Sequence, residues 1–269
     1  MAGEALQEGF TVAWHRRETW WILVWVTVLV FLLGVVGLAL GFSMMQPGVS
    51  PFSPGGPPPG VAGHAAGLVA FTLFLLLVGI PFVVGGIYGT IADAIREQSL
   101  GPATFWENGI RYFGRAWGLF MMAVVGGFGY MAALVILFFI LRLLGGLGMF
   151  VFYLVAIAAG LSWVVWMMWA FGALFVGHQS WSESLRSGWD DMRRHFGPAV
   201  MVMLAQFVMV VALALVDLVL LRVLGILGRL VGAALEAWVA LFVAAAELSL
   251  YRVAHGVPKG PAPSVLTGP

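Results

Sequence analysis

Asp217, Arg222, Arg229 and Glu236 bracket a short turn between two long apolar runs, at 199–221 and 230–251. Carboxyl and guanidinium groups are costly inside a hydrocarbon layer, so such groups are suspects for function by default. Asp217 and Glu236 lie nearly the same distance along the chain from Ile226, which places them at one depth on neighbouring helices. Two chemistries fit. One is a proton- or cation-coupled site in which a desolvated carboxyl exchanges a proton beside its neighbour. The other is a neutralised cluster that holds two helices together while the arginines reach toward the surface. Leu137 and Ala156 stand near the corresponding places one unit earlier, so the acids form no symmetric pathway. Glu247 falls near the end of the last run, beside Tyr251 and Arg252, and reads as an interface residue.

What must position these groups is a membrane domain. The chain has 269 residues, 62% of them apolar and only 9% charged, with a mean hydropathy of +1.02, a balance that a water-facing surface does not tolerate. Apolar runs cover about 20–42, 64–92, 116–141, 147–177, 199–221 and 230–251, each long enough to cross a bilayer. They are apolar on every face, unlike the alternating strands of a barrel. The first run is too long for a secretory leader and follows Glu4, Glu8 and Glu18. The expected fold is therefore an all-α integral membrane protein with six transmembrane helices.

The units repeat. Trp106 to Ala116 and Trp189 to Ala199 align without a gap as Trp, acid, Asn or Asp, two variable residues, Arg, one variable, Phe, Gly, one variable, Ala. Leu141 to Gly148 likewise matches Leu221 to Gly228. Residues 96–177 and 178–256 are read as two copies of one unit, and 1–95 as a diverged third in which Leu6, Phe10 and Ala13 precede a span. This predicts one domain over 1–256, built as three parallel hairpin repeats around a pseudo-threefold axis, each preceded by a cytoplasmic interfacial amphipathic helix. Residues 257–269, with Pro258, Pro261 and Pro263, read as a disordered cytoplasmic tail. Gly79 and Pro81 predict a kink in the second span.

In the amphipathic segments Trp106, Ile110, Phe113 and Trp117 share one helical face, as do Leu185, Trp189, Met192 and Phe196. Glu107 with Arg111, and Asp190 with Arg194, occupy the opposite side at i, i+4. Thr104, and Ser182 or Ser184, are the expected caps. The segments should lie flat at the interface, where Trp106, Arg111, Arg115, Trp189, Arg193 and Arg194 would contact anionic lipid headgroups or a membrane or peripheral protein partner. The alternative is that they only anchor the hairpins.

Ser99 to Trp117 and Ser182 to Ala199 carry a Ser/Thr-led amphipathic helix with an Arg, aromatic and Phe-Gly ending before an outward span. In this the chain resembles uncharacterised bacterial six-helix membrane proteins, including the membrane-domain module associated with some glycerophosphodiester phosphodiesterases. The resemblance implies the architecture and a bacterial inner-membrane location. It does not imply hydrolysis, because the catalytic part of that family is a separate soluble barrel with no counterpart here. The mitochondrial carriers, which also have three hairpins, are excluded by the absence of their Pro-x-acid-x-x-base motif.

No enzymatic or cofactor-binding signature is present. His15, His64, His178, His195 and His255 lack metal-ligand spacing, cysteine is absent, and HExxH, P-loop and GxSxG patterns do not occur. The reading is a non-catalytic scaffold, assembly or membrane-organising protein without cofactor or metal and with no nucleic-acid partner; the alternative is a small secondary transporter or lipid permease using Asp217 and Glu236.

Basic residues cluster in loops of one side, Arg16, Arg17, Arg96, Arg111, Arg115, Arg186, Arg193, Arg194, Arg252 and Lys259, against Arg142, Arg222 and Arg229 on the other. Both termini should then be cytoplasmic, and the uncharged, proline-rich 43–63 loop should face outside. A single cysteine at Gly55, in a chain that has none, should react with an impermeant maleimide on intact cells. Labelling only after lysis would reverse the topology.

Overall fold

A computed structural model describes residues 1–15, 67, 70, 72–98, 100–101 and 103–259. The described residues are helical, with no strand among them. They form α1 (Ala2–His15), α2 (Ile80–Ile95), α3 (Thr104–Arg142), α4 (Gly145–Phe175), α5 (Trp181–Leu224) and α6 (Ile226–His255). Five segments are long and apolar enough to cross a membrane: Thr72–Ile95, Thr104–Arg142, Gly145–Phe175, Trp181–Leu224 and Val231–His255. The expected first span, at 20–42, and the proline-rich loop lie outside the described residues, as do Ser99 and the tail from 260 onward.

The helices are packed at one end. There the core holds Ile91, Phe105, Tyr112, Leu119, Trp169, Leu174, Phe175, Leu248 and Leu250, all essentially inaccessible. Toward the other end the α3–α4 and α5–α6 turns expose large apolar side chains such as Phe139, Leu143 and Leu147. That distribution suits a bundle whose solvent is lipid along most of its length.

At the packed end α2 lies against the start of α3, α4 against the start of α5, and α6 against α1. Small residues permit each approach. A Cβ on Gly9 would stand 2.7 Å from the backbone nitrogen of Ala246, and one on Gly188 would stand 2.7 Å from that of Ala170. Between α2 and α3, a Cβ on Gly109 would meet the Phe82 ring at 2.8 Å. In lipid, where apolar side chains gain little from leaving the solvent, such contact is what holds helices together.

Pro81 shapes the start of α2. It cannot donate to the carbonyl one turn back, and the chain answers with a π turn over Leu75–Gly79, in which Ile80 N–H bonds to Leu75 O. The distortion seen where a kink was expected is this π turn. Pro198 acts similarly in α5, where His195 leaves helical geometry (φ −127°, ψ 32°) three residues earlier. The amphipathic segment of α5 is thereby set off from its span. No such break interrupts α3, which runs continuously from Thr104 to Arg142, so its amphipathic segment continues directly into the span and does not form a separate flat helix.

The α5 cap is Ser180, not Ser182 or Ser184. Ser180 and Glu183 form a reciprocal capping box, and the Ser184 hydroxyl donates to Ser180 O at 2.8 Å. The side chain of Thr104 accepts from Gly101 N–H at 2.8 Å rather than capping α3. Residues 257–259 begin the expected tail docked to the bundle: Arg252 Nη1 donates to Val257 O at 3.3 Å, and Lys259 reaches Glu8 at 3.4 Å and Glu97 at 3.7 Å.

Replacing Gly188 by Leu should drive α4 and α5 apart and cost about 1–3 kcal/mol, as overpacking does. Gly114, beside which a Cβ would meet open space, should accept Leu with little change. Thermal unfolding of the two variants in detergent checks the contrast.

Candidate functional site

Three polar junctions lie at the packed end. The richest joins α2, α3 and the turn after α4. Asn108 Nδ2 donates to Asp93 Oδ2 at 2.7 Å and to Thr90 Oγ1 at 3.4 Å, and Thr90 Oγ1 donates to Gly86 O at 2.7 Å. These three side chains are buried. Beside them the buried Arg96 guanidinium donates to Val176 O and contacts His178 Nε2. The Tyr112 hydroxyl meets His178 Nδ1 at 2.9 Å, and Arg115 Nη1 donates to His178 O at 3.2 Å.

His178 has a left-handed backbone, φ 55°, at a non-glycine position. Its ring and carbonyl contacts hold that turn in place. Burial, reinforced by the positive charges of Arg96, Arg111 and Arg115, lowers the His178 pKa from 6.5 to about 4. The imidazole is therefore neutral near pH 7, with one nitrogen free to accept from Arg96.

The second junction ties α1 to α6. Arg252 donates from Nε and Nη2 to Glu8 Oε2, both at 2.8 Å, and Lys259 completes the contact. A pocket of about 420 Å³ adjoins it, lined by Glu4, Gln7, Thr11, Glu97 and these residues. In the third, His255 Nε2 lies 3.2 Å from Asp191 Oδ1 while its Nδ1 lies 3.1 Å from Tyr251 O. His255 stacks on Tyr251 with centroids 4.2 Å apart. Among the described residues no group of three or more His, Cys, Asp or Glu could hold a metal ion. No known family profile matches the chain, and it matches no curated protein and no solved structure.

The acids singled out by sequence lie on neighbouring helices, α5 and α6. Asp217 is half-buried in α5, and a Cβ on Gly232 of α6 would collide with its Oδ1. Glu236 follows Gly232 by one turn. It opens onto an apolar cleft of about 540 Å³ between α2, α5 and α6, lined also by Tyr88, Val210, Leu213 and Ala240. Arg222 is exposed near the end of α5, and the Arg229 side chain lies outside the described residues. Glu247 turns into the bundle, where it accepts from the Tyr88 hydroxyl at 3.2 Å.

Among the residues expected at the interface, Trp106 is half-buried against Phe82 and Phe105, with centroids 5.3 and 5.7 Å apart. Trp189 is 40% exposed, packs edge-on to Trp166, and carries the Arg193 guanidinium 4.9 Å above its ring. Arg111, Arg115 and Arg194 are exposed. Asp93 did not stand out in the sequence, and Arg96 and His178 figured there only as a loop cation and one of five dispersed histidines; all three flank apolar runs. Asn108 and Asp191 entered only as one motif position, although both are buried and bonded to a neighbouring element.

Because His178 resists protonation in the folded chain, the unfolded chain binds more protons between pH 6.5 and about 4. Its contribution to stability is present above 6.5 and is lost as pH falls toward 4. His178→Gln should flatten the dependence of melting temperature on pH across that window, measured in detergent against wild type.

Proposed function

We propose that the chain is a non-catalytic, polytopic scaffold or membrane-organising component, with three hairpin units around a pseudo-threefold axis and both termini in the cytoplasm of a bacterial cell. The cyclic packing of the shared end carries this reading. Each returning helix is covered by the entry helix that follows it, α2 by α3 and α4 by α5, and the last, α6, is covered by α1, the first. The chain's two ends thus complete one ring whose centre is filled by side chains such as Trp169, Phe175 and Leu248. A filled centre and exposed Trp, Arg and apolar residues at the rim suit a body that organises its surroundings and passes nothing through its middle. The likeness to the membrane-domain module of phosphodiesterases belongs with this proposal.

The cleft that reaches Glu236 favours a second reading, a lipid permease or proton-coupled transporter using Asp217 and Glu236. Reconstitution distinguishes the two. In proteoliposomes the scaffold should leave transbilayer lipid movement and proton flux at the level of protein-free vesicles, and gentle purification should retain a stoichiometric membrane partner. Protein-dependent flux abolished by Glu236→Gln would replace the scaffold by the permease.

A further inference from the structure

Arg96, Arg111 and Arg115 gather on one small region of the packed end. Arg111 and Arg115 are both exposed and stand one turn apart on α3, so their guanidiniums share a face. Arg96 lies behind them, 6% exposed, bonded to the 176–178 turn that Arg115 also grips. The charges of all three act together on His178.

Little negative charge answers them. Asp93 is the buried acid nearby; its carboxylate accepts from Asn108 at 2.7 Å, and its single charge is shared between Arg96 and Arg111. Arg96 spends its guanidinium on a carbonyl and a neutral ring, and its buried Nε has no hydrogen-bond partner. Glu97 pairs with Lys259 at 3.7 Å. Glu107, one turn before Arg111, is exposed. On the same helix Ile110 is 72% exposed and Trp117 is 41% exposed, apolar surface of the kind that enters a headgroup layer.

We propose that Arg111 and Arg115, backed by Arg96, form a binding site for a phosphate group, and that the phosphodiester of an anionic phospholipid occupies it. Paired guanidiniums match phosphate oxygens in geometry as well as charge. The neighbouring apolar residues place that phosphate at the depth of a lipid headgroup rather than in bulk water. The site does not depend on whether the protein scaffolds or transports, and a flux result therefore leaves it standing.

The test is retention of lipid by the full chain, purified in mild detergent with equal phosphatidylglycerol and phosphatidylcholine and read by native mass spectrometry. Wild type should keep phosphatidylglycerol in preference. Arg111→Gln with Arg115→Gln should lower that retention by roughly thirtyfold, since each of the two basic groups near a headgroup layer is worth about 1 kcal/mol. Arg142→Gln, at the opposite end of α3, should leave it unchanged, and Glu107→Gln should raise it, which gives a change of opposite sign if the double variant does not fold. Inorganic phosphate that displaces the lipid and stabilises wild type but not the double variant would keep the site and make free phosphate its ligand. Equal retention of both lipids, or retention indifferent to all of these substitutions, would overturn the proposal.

Discussion

Close contact between small residues at one end of the bundle is the constraint on which the rest of this structure depends. Lipid gives apolar helices little reason to associate, so what remains is dispersion at short range and polar groups that find partners. Gly9 against Ala246 and Gly188 against Ala170 bring backbones together. Only at such separations can Arg252 reach Glu8 from a neighbouring helix, or Trp166 Nε1 donate to Leu185 O at 2.8 Å. The polar junctions are thus consequences of the close approach and in turn fix its register.

The same constraint decides which face of each amphipathic segment is buried. In α3 the stripe Trp106, Ile110, Phe113 and Trp117 is not the buried one; the chain buries the adjacent stripe of Phe105, Asn108, Gly109, Tyr112 and Ala116. In water an aromatic face seeks a core, whereas near lipid it can remain outside. The small and polar residues then decide which face meets another helix. In α5 the stripe divides, with Leu185 and Met192 buried but Trp189 and Phe196 exposed.

Much of the fold was legible because length and uniform hydropathy identify spans without tertiary information, and Pro81 announces its distortion through a missing donor. The expected first span lies outside the described residues. The site was less legible. Asp217 and Glu236 stood out as charges inside apolar runs, but Asp93, Arg96 and His178 sit at run ends, where polar residues are ordinary. Their importance comes from convergence of α2, α3 and the turn after α4, a long-range relation that no local pattern contains. Nor does local pattern reveal that α1 belongs against α6, at the other end of the chain.

That pairing of α1 with α6 is the claim to test most directly. Gly9→Cys and Ala246→Cys, introduced together into a chain without other cysteines, should form an intramolecular disulfide in native membranes under mild oxidation, seen as a faster-migrating monomer after electrophoresis. Gly9→Cys with a cysteine at Phe139, near the opposite end, should not. Failure of the first pair to close within one chain, or closure only between chains, would contradict the ring.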